Sequence, residues 1–306
     1  MPEGGGTEQG PGETNQAMQT RKPWTTMTKQ IGASVFFGVS SIAIITINKA
    51  VLTTFQFPSF QLVGIGQMVA ILIICWSCRT AKVVTFPPPS LHQFRKVFPL
   101  PILYIINLIF GLGSTKILNL PMFTVLRRFT LILVAVGQIV LLDKYESLQV
   151  NTCLVLMITG ALIAALNDLA FNLTGYIYIV LNNFATAGNV LYSKKMMNEE
   201  MGKYEIMFYN ALLSIGPAII IAWVTGDLQK AYYYNGWSNP LFLICYLLSC
   251  VMGFVLIYST FLCTQLTSPL TLTVVGCIKN VAVTYAGMLY GDYIFDAYNF
   301  VGINVR

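Results

Sequence analysis

Three basic residues lie inside long apolar runs of this 306-residue chain: Arg127, Arg128 and Lys279. A charge in hydrocarbon costs a few kcal/mol unless it faces protein or water, so each must have a partner or a cavity. All twelve Asp and Glu residues fall outside the centres of the apolar runs, leaving no internal carboxylate to neutralise these cations. An anion arriving from solvent is then the natural partner. The planar fork of Arg suits phosphate through two parallel hydrogen bonds, whereas Lys acts as a point charge. Lys279 sits about ten residues into its run, too deep to reach the headgroups easily. Arg127 and Arg128 are adjacent, so on a helix they point about 100° apart and cannot both face one site squarely. They also lie close to the start of their run. Two readings stand: a cavity role, for which Arg128 is preferred to Arg127, or extension of one or both to the lipid headgroups.

Polar residues near these cations widen the candidate site. Asn280 follows Lys279, and Phe208-Tyr209-Asn210 opens another apolar run. Aromatic rings can stack on a nucleobase and an amide can read its edge. Rings at span ends also serve as interfacial anchors, which is the competing reading. Asn48, Tyr104, Asn107, Asn182, Asn183 and Asn189 are further polar positions within runs, some of them expected only to bond neighbouring helices. The missing carboxylates argue against proton or sodium coupling and favour exchange of one anion for another.

The elements that position these residues follow from composition. The chain is 56% hydrophobic and 10% charged, with a mean hydropathy of +0.67. A soluble domain carries about 25% charged residues, so the solvent is a bilayer. Spans are predicted near 31–53, 59–78, 97–117, 122–142, 150–167, 174–193, 206–224, 240–263 and 269–290. A last run from Tyr298 to Arg306 is too short to cross, and we expect the chain to stop partway through a tenth helix. Residues 1–29 form a polar tail without the features of a cleaved signal, so the first span is expected to be an uncleaved anchor. Lys and Arg are scattered rather than clustered, which excludes a nucleic-acid surface. Placing the tail in the cytosol puts Arg79, Lys82, Arg95, Lys96, Lys144, Lys194, Lys195 and Lys203 there too, and Lys230 opposite. The sequon Asn172-Leu-Thr174 falls in a very short lumenal loop, where we expect it to be unused. The seven cysteines all sit in apolar segments as small hydrophobes, Cys75-Trp-Ser-Cys78 included.

An internal repeat emerges on shifting the chain. At an offset of 145, Lys49 falls on Lys194 and Ser114-Thr115 on Ser259-Thr260. At 148, Pro121 falls on Pro269, and at 149, Asp143 on Asp292. The collinear order suggests two five-helix halves inserted oppositely, with a site at the midplane between them. Chance matching among low-complexity apolar segments is the competing reading. Under the repeat, the spans bearing Arg127-Arg128 and Lys279 are counterparts and meet in one central cavity.

Several strings, in order, resemble nucleotide-sugar transporters. They are Asn119-Leu-Pro-Met-Phe-Thr-Val-Leu-Arg-Arg-Phe129, Asp168-Leu-Ala-Phe171, Gly202-Lys-Tyr204, Phe208-Tyr-Asn-Ala211, Thr225-Gly-Asp227 and Val275-Gly-Cys-Ile-Lys-Asn280. The nearest branch comprises the UDP-glucuronic acid/UDP-N-acetylgalactosamine transporter and its UDP-N-acetylglucosamine/UDP-glucose/GDP-mannose relatives. The resemblance implies an all-α integral membrane protein with the ten-helix drug/metabolite transporter fold, its inverted halves at residues 30–168 and 169–306. It implies a Golgi or endoplasmic reticulum membrane and exchange of cytosolic UDP-sugar for lumenal UMP, with no cofactor, metal or catalytic residue. A homodimer is compatible with it. Phe208, Tyr209 and Asn210 would lie on the base side, from the family's Phe-Tyr-Asn-Asn motif. Gly276, Lys279 and Asn280 would lie on the sugar and phosphate side, from its Gly-Ala-Leu-Asn-Lys motif, with Arg127 and Arg128 assisting. This chain has Ala211 in place of the second Asn and the reversed order Lys279-Asn280, which points to uridine rather than guanine.

Two other classes compete with transport. A membrane-bound sugar or prenyl transferase would need positioned acid–base or metal-binding groups. The single histidine, His92, lies in a loop, and no acidic pair projects into the spans. A scaffold with a transporter fold and no transport is the third reading.

Overall fold

The computed structural model describes residues 23–86, 90–118, 120–166, 172–199 and 201–289. Helix α1 (Pro23–Lys49) runs into a single π-helical turn, Ala50–Thr54, and α2 is Phe60–Thr80. Helices α3 (Leu91–Val97) and α4 (Pro99–Ile117) are nearly continuous through Phe98. Then come α5 (Leu120–Leu126), a 3₁₀ turn Arg127–Phe129, α6 (Thr130–Leu142), α7 (Leu148–Leu166) and α8 (Leu173–Asn198). The remainder is α9 (Lys203–Val224), α10 (Asp227–Tyr232), a second 3₁₀ turn Asn235–Ser238, α11 (Pro240–Leu266) and α12 (Pro269–Leu289). Among the described residues there is no strand.

Each start has a local cause. Ser59, Ser90, Asn172 and Asn239 accept from the amides of Leu62, Gln93, Gly175 and Leu241, satisfying first-turn donors of α2, α3, α8 and α11. Pro99 and Pro240 occupy first-turn positions, where a missing amide hydrogen is harmless. Gly226 joins α9 to α10 at φ 73°, a left-handed conformation that a side chain would strain.

Among the described residues, five stretches are long and apolar enough to cross a membrane: Met27–Thr54, Phe60–Thr80, Leu91–Gly111, Lys203–Val224 and Pro240–Leu266. They coincide with the predicted first, second, third, seventh and eighth spans. Large apolar side chains stand outward along them, Val39, Ile73, Ile220 and Ile244 among them, and Trp223 is 73% exposed. A surface of this kind in water would drive aggregation; in a bilayer it is the solvated face. The predicted fourth span, 122–142, is not one helix, because the 3₁₀ turn divides it into α5 and α6. The tenth-helix run and most of the tail lie outside the described residues.

The packing is cross-wise in the sequence. Helix α1 lies against α11 and α12, and α2 against α11 and α9. Helix α4 lies against α8 and α9, and α6 against α8 and α12. One end of the bundle is closed by rings. Phe57, which is 4% exposed, meets Tyr234, Trp237, Phe242 and Tyr246 at 5.2–5.8 Å between centroids. Hydrogen bonds fix the polar rims: Tyr234 donates to Phe55 O, Trp237 to Ala231 O (2.8 Å) and Tyr246 to Leu62 O (3.0 Å). Towards the other end, Lys96 pairs with Glu199 at 2.9 Å, and that hydrogen bond holds the Glu199 carboxyl below its usual range.

Phe57→Ala is expected to destabilise the protein by about 3–5 kcal/mol, because it opens a cavity in the centre of this ring cluster. Tyr234→Phe, which removes only a hydroxyl, is expected to cost about 1 kcal/mol. Unfolding in detergent followed by tryptophan fluorescence would measure both.

Candidate functional site

The site is built where α12 and the 3₁₀ turn approach α1 and α8. Gly276 and Lys279 are three residues apart in α12 and so share a face. Ile278 stands away from it, 62% exposed. A Cβ added at Gly276 would meet no heavy atom within 4 Å, so this face borders open space. The Lys279 ammonium donates to the hydroxyl of buried Ser41 on α1 and lies 5.9 Å from the Phe37 ring centroid. Neither group carries charge, so together they hold the ammonium without neutralising it.

Arg127 begins the 3₁₀ turn. Its guanidinium reaches the Thr186 hydroxyl on α8 at 3.5 Å and lies 5.5 Å from the Phe123 ring. Thr186 is part of a larger network, accepting from Asn107 Nδ2 at 2.6 Å and donating to Asn182 O at 2.8 Å. Asn182 Nδ2 in turn donates to Asn107 O at 2.8 Å, and Asn182 Oδ1 is buried without a hydrogen-bond partner among the described residues. Gly111 makes room for this amide, since a Cβ there would stand 2.7 Å from Asn182 Nδ2. Arg128 is buried, 3% exposed. Lys279 and Arg127 feel each other's charge, and Cys277 lies within electrostatic reach of all three cations.

Among the described residues, the ion pairs are Lys96–Glu199, Lys144–Glu146 and Lys230–Asp227, all near helix ends. Neither Lys279 nor Arg127 has a carboxylate partner among them. No group of three or more His, Cys, Asp or Glu among those residues could hold a metal ion.

The sequence-predicted residues thus divide. Lys279, Gly276, Arg127 and Arg128 come together, with Arg127 bonded to Thr186 and within electrostatic reach of Lys279. Asn280 lies in α12, but its side chain is outside the described residues. Phe208, Tyr209 and Asn210 belong to a different cluster on α9. Phe208 is buried against Trp76 (6.1 Å, stacked) and Phe86 (5.4 Å). Tyr209 is fully buried, donates to Gln93 Oε1 at 2.7 Å and packs edge-on against Phe94. Asn210 is half-buried and accepts from Ser214 at 3.4 Å. Asn48 accepts from Gln67 (3.3 Å) and Ser249 (2.6 Å), an inter-helix link between α1, α2 and α11. Sequence reasoning missed Ser41, Phe37 and Thr186. One signal was available: Ser41 and Thr186 are separated by 145 residues, the offset that relates Lys49 to Lys194.

A paired set of intramembrane cations resting on hydroxyls, in an all-helical bundle, is the setting in which comparison with known proteins decides the family. The triose-phosphate transporter family matches residues 31–305. The chain belongs to that family. It is 44% identical over 298 residues to a fruit-fly (Drosophila melanogaster) protein named UDP-sugar transporter UST74c, covering 97% of this chain and 80% of that one. It is 48% identical over 275 residues to human nucleotide sugar transporter SLC35D2, covering 89% and 82%. The Caenorhabditis elegans UDP-sugar transporter sqv-7 is 44% identical over 281 residues, covering 90% and 85%. The chain is therefore a multi-pass membrane protein of the nucleotide-sugar transporter group, and its relatives are named as transporters rather than enzymes.

Gly276→Val should leave the unfolding temperature within about 2 °C of wild type, since a Cβ at this position meets no heavy atom within 4 Å. The same change should reduce transport about tenfold or more by crowding the face beside Lys279. Paired stability and uptake assays would read the two effects separately.

Proposed function

We propose that this protein exchanges a UDP-sugar for UMP across a Golgi or endoplasmic reticulum membrane, with its N-terminal tail in the cytosol. One observation carries the reading: Lys279 and Arg127 lie close together within the bundle, held by hydroxyls, rings and amides and by no carboxylate among the described residues. Such a site is electrostatically incomplete, and a diphosphate completes it. Names of the most similar relatives supply the chemical class of the anion. Exchange follows from the same incompleteness, because a carrier that releases one anion and takes another never has to move its cations unpaired.

In this reading Lys279, Arg127 and Arg128 hold the phosphates, and Gly276 and Asn280 line the sugar side. Asn210, with Ser214 beside it, reads the base. Phe208 and Tyr209 frame that amide from the packed side. The carrier's halves are residues 30–168 and 169–306 in inverted orientation. The packing supports this. Exchanging α1 with α8, α2 with α9, α3–α4 with α11 and α5–α6 with α12 turns α1 against α11 into α8 against α4. It also turns α1 against α12 into α8 against α6, and α2 against α11 into α9 against α4. At the offset of 145, Ser41 of α1 falls on Thr186 of α8, and each bonds a cation of the other half, Lys279 and Arg127 respectively. Rocking of one half against the other would expose the site to each side in turn.

The test is counterflow into liposomes preloaded with UMP, using a panel of labelled nucleotide sugars. Uptake of UDP-sugars should depend on internal UMP, and Lys279→Ala should reduce it about a hundredfold or more. Uptake that proceeds equally without internal nucleotide would refute exchange. Near-wild-type transport by Lys279→Ala would refute the site.

A further inference from the structure

The 3₁₀ turn Arg127–Phe129 interrupts what would otherwise be one continuous span, and a single buried side chain bridges the interruption. In an α-helix the Thr130 amide would donate to Leu126 O. Here it donates to Arg127 O, so Leu126 O keeps only the shorter i→i+3 bond of the tighter turn. Asn183 of α8 supplies a second donor: its Nδ2 donates to Leu126 O at 2.9 Å. Its Oδ1 accepts from the Thr130 hydroxyl at 3.0 Å. The amide therefore grips the residue just before the arginine pair and the residue starting the helix just after it. Asn183 is 2% exposed and Thr130 5%, so water does not compete for either bond.

We propose that Asn183 is a positioning residue for the Arg127–Arg128 pair. It holds the helix in its broken form, and the break sets the directions of the two guanidinium groups. The tighter winding of a 3₁₀ turn, three residues per turn rather than 3.6, rotates the arginines relative to α5 and α6. Arg127 is thereby presented to Thr186, and Arg128 beside it is buried. Without the clamp, the Thr130 amide can return to Leu126 O, and a continuous helix re-aims both arginines. The neighbouring Asn182 serves α4 through Asn107, so the two amides have separate tasks about 100° apart on α8.

This inference rests on the reading of the arginines as anion-binding groups, and the experiment separates the two. The protein is assayed for UMP-driven exchange in liposomes and for the rise in unfolding temperature produced by UMP in detergent. Asn183→Leu is expected to raise the KM for UDP-sugar about tenfold or more, with the maximal rate changed far less, and to abolish the UMP-induced rise. Thr130→Val removes one half of the clamp at nearly constant shape and should raise KM about threefold, while Thr130→Ser keeps the hydroxyl and stays within about twofold of wild type. If Asn183→Leu fails to fold, the Thr130 pair decides. The clamp is overturned if folded Asn183→Leu keeps its KM and its UMP response, or if Thr130→Val and Thr130→Ser behave alike. Arg127→Ala and Arg128→Ala separate the premises. Loss of UMP binding in these with none in Asn183→Leu overturns the clamp alone, whereas unchanged UMP binding in both overturns the anion site beneath it.

Discussion

Positive charge within the membrane is the constraint on which the rest of the architecture turns. A lysine and an arginine pair inside spans would be ruinous if they faced hydrocarbon, so the bundle turns them inward. Ser41, Thr186 and two aromatic rings give Lys279 and Arg127 somewhere to rest, with no carboxylate partner for either among the described residues. With a carboxylate beside them, an anionic ligand would first have to displace an internal ion pair. In the proposed function, the arrangement keeps the field available to a ligand.

Helix α8 organises this region. Its successive amides and the hydroxyl one turn on bind three different things: Asn182 bonds α4, Asn183 the broken span, and Thr186 the guanidinium of Arg127. Polar side chains between transmembrane helices commonly contribute modest stability, of about 0.6 kcal/mol on average. Their value here lies in geometry, since they fix a non-helical stretch of backbone at a depth where only protein can satisfy it.

Much of the fold was legible because lipid solvation imposes length and composition on every span. The predicted segments 31–53, 59–78 and 240–263 correspond to helices running a few residues further at their ends. The broken fourth span was not legible. Leu120–Leu142 reads as continuous apolar sequence, and the break is stabilised by Asn183, more than fifty residues away along the chain. For the same reason the aim of the two arginines was not legible: an ideal 100° spacing assumes an unbroken helix. That Lys279 and Gly276 share a face was legible because depth in a span and spacing of three are local properties. What covers Phe208 and Tyr209 was not. Ring chemistry suits a base, yet the loop carrying Phe86 and the helix carrying Gln93 and Phe94 fold over both rings in this conformation.

The two resting places of the cations are related in position but not in kind. On one side an ammonium meets a serine; on the other a guanidinium meets a threonine. The forked group can grip a phosphate through two parallel bonds, and the ammonium only as a point. In the proposed exchange, a diphosphate bridging them meets unequal ends and can be told head from tail. In the proposed inverted arrangement, pseudo-symmetry in the scaffold would thus coexist with polarity in the bound molecule, and the carrier would give its ligand a fixed heading across the bilayer.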